Sequence, residues 1–197
     1  MNHRHIDAGL SSLNQKLLTM AGYVEQAVEC ATDAWRFRNI AKIADVYAIE
    51  RRVNQAHLDV DAACVQLLAL QQPMAADLRF IVSCIKINND LERMVDLAVN
   101  IANNTEFYLQ NPPVIHIEDL SQMADEVRVM VREVLDAFVK TDERMARRVP
   151  REREVLMQQR AVRLEEVHPV VQARVLEDDA AEVIDDPAHA RIEVGHR

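Results

Sequence analysis

Three breaks divide the first two-thirds of the chain: Arg38-Asn39, Gln71-Gln72-Pro73 and Asn111-Pro112-Pro113. Proline lacks an amide donor and disfavours helix in the residue before it, so the last two are firm stops. The stretches between the breaks, roughly 6–37, 40–70 and 74–109, each read as one helix far longer than the ~11-residue mean of globular proteins. Long helices with short connections pack as antiparallel neighbours, so residues 6–110 are expected to form a three-helix bundle. Sheet proteins need many tight turns, and those turns consume Gly and Pro. This chain has three glycines and six prolines in 197 residues, yet it is 49% hydrophobic and can bury a core. The expected fold class is therefore all-α.

The third stretch has the sharpest pattern. Cys84, Ile87, Leu91, Met94, Ala98 and Ile101 follow a 3-4-3-4-3 spacing, which predicts a coiled-coil-like seam. Pro73 suits a first helical turn, and Asp77 sits near the positive helix end. A fourth helix is predicted from about Glu118 to Val149. It echoes the first at a constant offset: Val24, Val28, Asp33, Ala34, Trp35 and Asn39 match Val127, Val131, Asp136, Ala137, Phe138 and Asp142. The echo suggests that a second three-helix bundle begins here. The residues beyond Val149 do not keep the pattern. Pro150 interrupts, no aromatic occurs after Phe138, and Arg, Glu, Val and His dominate. Residues 152–164 retain helical character. The chain thus reads as an incomplete second repeat over 117–179 and a disordered tail over 180–197.

Several function classes are excluded. A formal charge of −9 argues against non-specific nucleic-acid binding, which needs a basic footprint. The longest apolar runs are too short for a transmembrane span, and the start, Met1-Asn2-His3-Arg4-His5, does not resemble a signal peptide. A soluble protein is expected. Cys30, Cys64 and Cys84 are odd in number and far apart. They read as helix-core residues in a reducing cytoplasm, without a nearby His that would suggest a nucleophile. Three scattered glycines cannot build a phosphate-binding loop.

The chemistry-bearing candidates are carboxylates. Glu92 and Asp96 are four apart and project from one side of a helix. Two carboxylates held so close repel each other unless a cation lies between them. An isolated pair of this kind is ordinarily a solvated acidic face. Helix two alters that reading. Glu50 and Asn54 are also four apart, and His57 and Asp61 continue the stripe. If the chain turns near residue 72, Glu50 and Asn54 fall level with Glu92 and Asp96, giving a platform of oxygen donors. His57 and Asp61, nearer the turn, are second-choice ligands. Two weaker candidates are His3-x-His5, close to the terminus, and Glu165-x-x-His168, which has the spacing of a di-iron helix but occurs once and is followed by Pro169.

These residues carry a resemblance. Gln72-Pro73 through Asp77-Leu78-Arg79, then Asp90-Leu91-Glu92-Arg93-Met94-Val95-Asp96, then Ala98-x-Asn100-Ile101-Ala102, resemble the first repeat of the PhoU family. Val53-Asn54, Asp61-Ala62-Ala63-Cys64 and Met20-Ala21-Gly22-x-Val24-Glu25 fit as well, so the likeness covers about 6–149. The resemblance implies two tandem three-helix bundles, each with E(D)xxxD motifs that bind metal clusters, iron or zinc in some members. It implies a cytoplasmic, non-enzymatic regulator that acts beside the membrane. Such a regulator couples the phosphate ABC transporter to a sensor histidine kinase and represses the phosphate-starvation response when phosphate is plentiful. Carried over by position, Glu92 with Asp96 and Glu50 with Asn54 are the metal pairs. Asn54 replaces a carboxylate, and His57 stands where related sequences often have Glu.

The second repeat departs further. The counterpart of Glu50-x-x-x-Asn54 falls near Glu152-x-x-x-Leu156, and no second DLERxxD string appears. Either the repeat has degenerated or the reading frame shifted near Val149. An incomplete bundle would expose apolar residues of helix four, which predicts homodimerisation or marginal stability. A purely structural helical interaction module, without metal, is the competing reading. A di-iron enzyme would need repeated ExxH pairs that the chain lacks.

Overall fold

The computed structural model describes residues 2–110, 118–140, 142–149 and 158. Four helices account for most of them: α1 (Asn2–Arg36), α2 (Ile40–Gln71), α3 (Ala75–Leu109) and α4 (Glu118–Lys140). No strand occurs among the described residues. The helices lie within a few residues of the boundaries that the breaks predict. The expectations for residues 150–197, including the rest of the second repeat, the tail and Glu165-x-x-His168, lie outside the described residues, apart from position 158.

The two turns within the bundle are made without glycine. Arg38 takes φ 50° and Gln72 takes φ 47°, both in the left-handed region. At the first turn Asn39 N–H donates to the Ala34 carbonyl (3.0 Å), closing α1. The Asn39 side chain then accepts from Ala41 N–H (3.1 Å) and opens α2. At the second, Gln72 caps α2 and Pro73 prevents the helix from continuing.

Helices α1, α2 and α3 enclose one core. Leu13, Leu17, Met20 and Val24 from α1 meet Val46, Val53, Val60 and Cys64 from α2 and Ile81, Cys84, Leu91 and Val95 from α3, all buried. The predicted α3 seam is correct at Cys84, Leu91 and Ala98 and out of phase elsewhere. The buried stripe is Ile81, Cys84, Asn88, Leu91, Val95, Ala98, Ala102 and Thr105. Ile87 and Met94 are only partly buried, and Ile101 is exposed. Part of the physical reason is that two core positions are polar. Asn88 and Thr105 hold places that a purely apolar pattern passes over.

Helix α4 lies antiparallel to α1, with Val127, Leu135 and Phe138 packed on the core and a ladder of ion pairs alongside. Arg132 meets Glu25 (2.7 Å), and Arg128 meets Glu29 and, at 3.5 Å, Asp33. Arg36 grips Asp125 with two nitrogens (2.7 and 2.9 Å) and donates to the Ser121 carbonyl (2.8 Å). The predicted fourth helix stops earlier than Val149, at Lys140, and a second helical segment occupies 143–149. Asp142 causes the division. Its N–H closes the first piece on the Ala137 carbonyl (2.9 Å), and its carboxylate accepts from Met145 N–H (3.0 Å) to start the next.

The Arg36 guanidinium holds the Asp125 carboxyl below its usual range through a charge-assisted hydrogen bond, against the opposing effect of burial. A carboxyl whose pKa is lowered in the folded state contributes stability that is present above its unfolded value and lost as pH falls through the folded one. Docking of α4 should therefore loosen below about pH 4. Amide hydrogen exchange, corrected for intrinsic rates, should show protection falling across α4 in that range while α2 and α3 stay protected. Asp125→Asn should weaken α4 protection already at neutral pH.

Candidate functional site

The carboxylate pairs lie on two facing stripes. On α2 the stripe runs Tyr47, Glu50, Asn54, His57 and Asp61, by steps of three and four. On α3 it runs Asn88, Glu92, Asp96, Asn100 and Asn103. Contacts at each end set the register. The Tyr47 hydroxyl donates to Asn103 Oδ1 (2.6 Å), and Asn88 Nδ2 donates to the His57 carbonyl (3.1 Å). Glu50 and Asn54 lie between the two fastenings on α2, and Glu92 and Asp96 lie between them on α3. The antiparallel pair therefore carries both motifs at the same height. Asp61 lies beyond the His57 fastening, towards the turn.

The seam is graded from dry to wet. Asn88 is 1% exposed. Glu50, Glu92 and His57 are half-buried, and Asn54, Asp96 and Asp61 are exposed. The Tyr47 phenol is pushed up by burial and by the negative charges of Glu106 and Glu50. Two buried polar atoms, His57 Nδ1 and Asn88 Oδ1, have no hydrogen-bond partner among the described residues. Leaving such a group unpaired costs about 1–3 kcal/mol, so its presence calls for an explanation. An imidazole nitrogen and an amide oxygen are donor types that a borderline cation accepts. To that extent the residues fit a metal. No group of three His, Cys, Asp or Glu side chains that could hold an ion is gathered among the described residues. An ion at the seam would have to draw on amide oxygens as well.

Two features of this region escape sequence reading. Asn88 is a buried fastener between α2 and α3, a role that its polarity does not suggest. Tyr47 is one step N-terminal of Glu50 on the α2 stripe, a spacing that would have placed it at the seam. The side chains of His3 and His5 lie outside the described residues. No helix among the described residues is long and apolar enough to cross a membrane.

The cysteines do not form a reactive set. Burial pushes the Cys64 thiol up to about 11 and the Cys84 thiol up to about 12. Cys30, half-buried, is also raised, chiefly by burial. A thiol held in the neutral form is a poor nucleophile and a poor metal ligand.

Comparison with known proteins agrees on one family. The family model described as PhoU domain matches residues 17–105, which contain the seam. A phosphate-specific transport system accessory protein PhoU homolog from Aquifex aeolicus is 31% identical over 140 residues, 71% of this chain and 63% of that protein. The phosphate-specific transport system accessory protein PhoU of Escherichia coli is 32% identical over 148 residues, 74% of this chain and 61% of its own length. The match thus spans less than two-thirds of these curated relatives. The crystal structure of PhoU from Pseudomonas aeruginosa superposes with a TM-score of 0.80 at 30% identity, covering 86% of this chain and 85% of that one. The phosphate transport system regulatory protein PhoU from Streptococcus pneumoniae gives 0.76 at 25% identity, with 85% and 79% covered.

The thiol chemistry gives a direct check. With a thiol-specific reagent at pH 8, native protein should react at Cys30 and leave Cys64 and Cys84 unmodified. All three should react in denaturant. Rapid native labelling of Cys64 or Cys84 would contradict their burial in the core.

Proposed function

The chain belongs to the PhoU family, and from that premise we propose that it is an accessory protein of phosphate transport that represses phosphate uptake and starvation signalling when phosphate is plentiful. The observation that carries this reading is the match over residues 17–105, within which the two motif-bearing stripes face each other. On this reading the protein is not an enzyme. Its partners are the ATPase of a phosphate ABC transporter and a phosphate-sensing histidine kinase, contacted from the cytoplasm. A second copy of the chain is the partner for apolar side chains that α4 leaves exposed, among them Val129 and Val134.

The α2–α3 seam would hold the metal, iron or zinc. Glu50, Glu92 and Asp96 would supply carboxylates, Asn54 an amide oxygen, and His57 and Asp61 the outer donors. When bound, the ion would neutralise the acidic stripe and clamp the two helices. A surface for partners on this face would then depend on the loaded state. One observation favours the competing reading of a metal-free interaction module: hydrogen bonds already fasten the seam at both ends, so α2 and α3 associate without an ion.

Metal analysis of purified protein separates the two. The metal-binding reading expects iron or zinc to copurify, to fall sharply in the Glu92→Ala/Asp96→Ala double variant, and to leave helix content unchanged. Equal metal in wild type and variant would eliminate the site. Deleting the gene should raise a phosphate-starvation reporter in phosphate-rich medium, and the wild-type gene should restore repression. A reporter that does not respond would remove the regulatory role.

A further inference from the structure

A groove of about 700 Å³ runs between α1 and α2. Its volume falls in the range typical of small-molecule sites. Lys16 from α1 and Arg51 and Arg52 from α2 converge on it, in a chain whose net charge is −9. Ala48 and Ala56 keep the α2 side open, and Ser12 adds a hydroxyl. The one acidic residue lining it among the described residues, Asp59, already accepts a hydrogen bond from Gln55 Nε2 (3.0 Å).

The state of the cations distinguishes this groove from an ordinary solvated face. Along the α1–α4 contact, Arg36, Arg128 and Arg132 all engage carboxylates. Lys16, Arg51 and Arg52 form no ion pair among the described residues. Arg52 is also pre-positioned. Its guanidinium carbon lies 4.0 Å from the centroid of the Tyr23 ring, which fixes the plane and leaves the N–H edges free.

We propose that the α1–α2 groove binds a short linear polyphosphate, through Lys16, Arg51 and Arg52. Three separated cations suit several linked phosphoryl groups better than one small anion. Planar guanidinium groups pair bidentately with phosphate oxygens. Among the described residues, Tyr23 is the one aromatic ring that lines the groove, and Arg52 already covers a face of it. That favours an inorganic chain over a nucleotide. This site does not depend on the metal seam or on the regulatory reading.

Titration calorimetry of the full chain, without divalent cations and at low salt, tests the proposal with sodium tripolyphosphate, orthophosphate, ATP and a polyglutamate peptide. Tripolyphosphate should bind one to one, more tightly than orthophosphate and at least as tightly as ATP. Lys16→Ala and Arg51→Ala should each weaken it about tenfold or more, since each removes a charge-assisted contact. Arg79→Ala removes the same charge from an exposed position on α3 and should leave affinity unchanged. Circular dichroism should show that all variants remain folded. The proposal is overturned if tripolyphosphate does not bind, or if Arg79→Ala weakens binding as much as Arg51→Ala. It is equally overturned if ATP binds more tightly, pointing to base recognition, or if polyglutamate competes as well, pointing to an acidic protein segment.

Discussion

The structure depends on how closely other helices can approach α1. That helix contributes Ala21, Ala27, Ala31 and Ala34 to the interior, each 0–2% exposed, beside Leu13, Leu17, Met20 and Val24. Small side chains let helix backbones come close, and the larger ones then interlock with the neighbours. The result is one helix in contact with three. Its apolar stripe faces α2 and α3, and its acidic stripe, Glu25, Glu29 and Asp33, faces the arginines of α4. The α4 contact adds a second kind of force to apolar packing. Burial of apolar surface is largely indifferent to salt, whereas partly exposed ion pairs are screened by it. The fourth helix therefore shares the apolar burial of the bundle, through Val127, Leu135 and Phe138, and adds ion pairs that respond to salt.

Much of this architecture was legible in the residues, because stops and caps are local. Pro73 and the Arg38-Asn39 pair act within one turn of the chain. The echo between α1 and α4 has a structural counterpart in the caps. Asn39 closes its helix on the Ala34 carbonyl, and Asp142, at the same offset, closes on the Ala137 carbonyl. Each then caps the next helix with its own side chain. The phase of the α3 seam was less legible. Hydropathy favours Ile87 over Asn88, and only the partner offered by α2, the His57 carbonyl, makes Asn88 acceptable inside. The α4 ladder could have been found. Glu25, Glu29 and Asp33 recur every four residues, as do Arg128 and Arg132, but charge spacing alone does not say which helix answers which.

The candidate site was legible as two motifs and a turn. Level placement follows from an antiparallel hairpin of known length, so Glu50 and Asn54 could be set against Glu92 and Asp96 from spacing alone. The fastenings could not. Tyr47 with Asn103, and Asn88 with His57, depend on side-chain reach across the helix pair. They make the seam a frame with fixed ends and a polar middle, in which two motifs are held together by groups belonging to neither.

Arg38 has a consequence beyond ending α1. Its backbone turns the chain, while its guanidinium lies over the Tyr108 ring, 4.7 Å from the centroid, and reaches the Leu109 carbonyl at 3.4 Å. The first turn of the bundle is thereby tied to the last residues of α3, the place where the chain leaves the bundle. Arg36, two residues earlier, grips the beginning of α4 at Ser121 and Asp125. Departure from the first half and arrival in the second are thus registered against the same corner. A displacement of that corner would be felt in both halves at once, which makes it a mechanical junction rather than a mere loop.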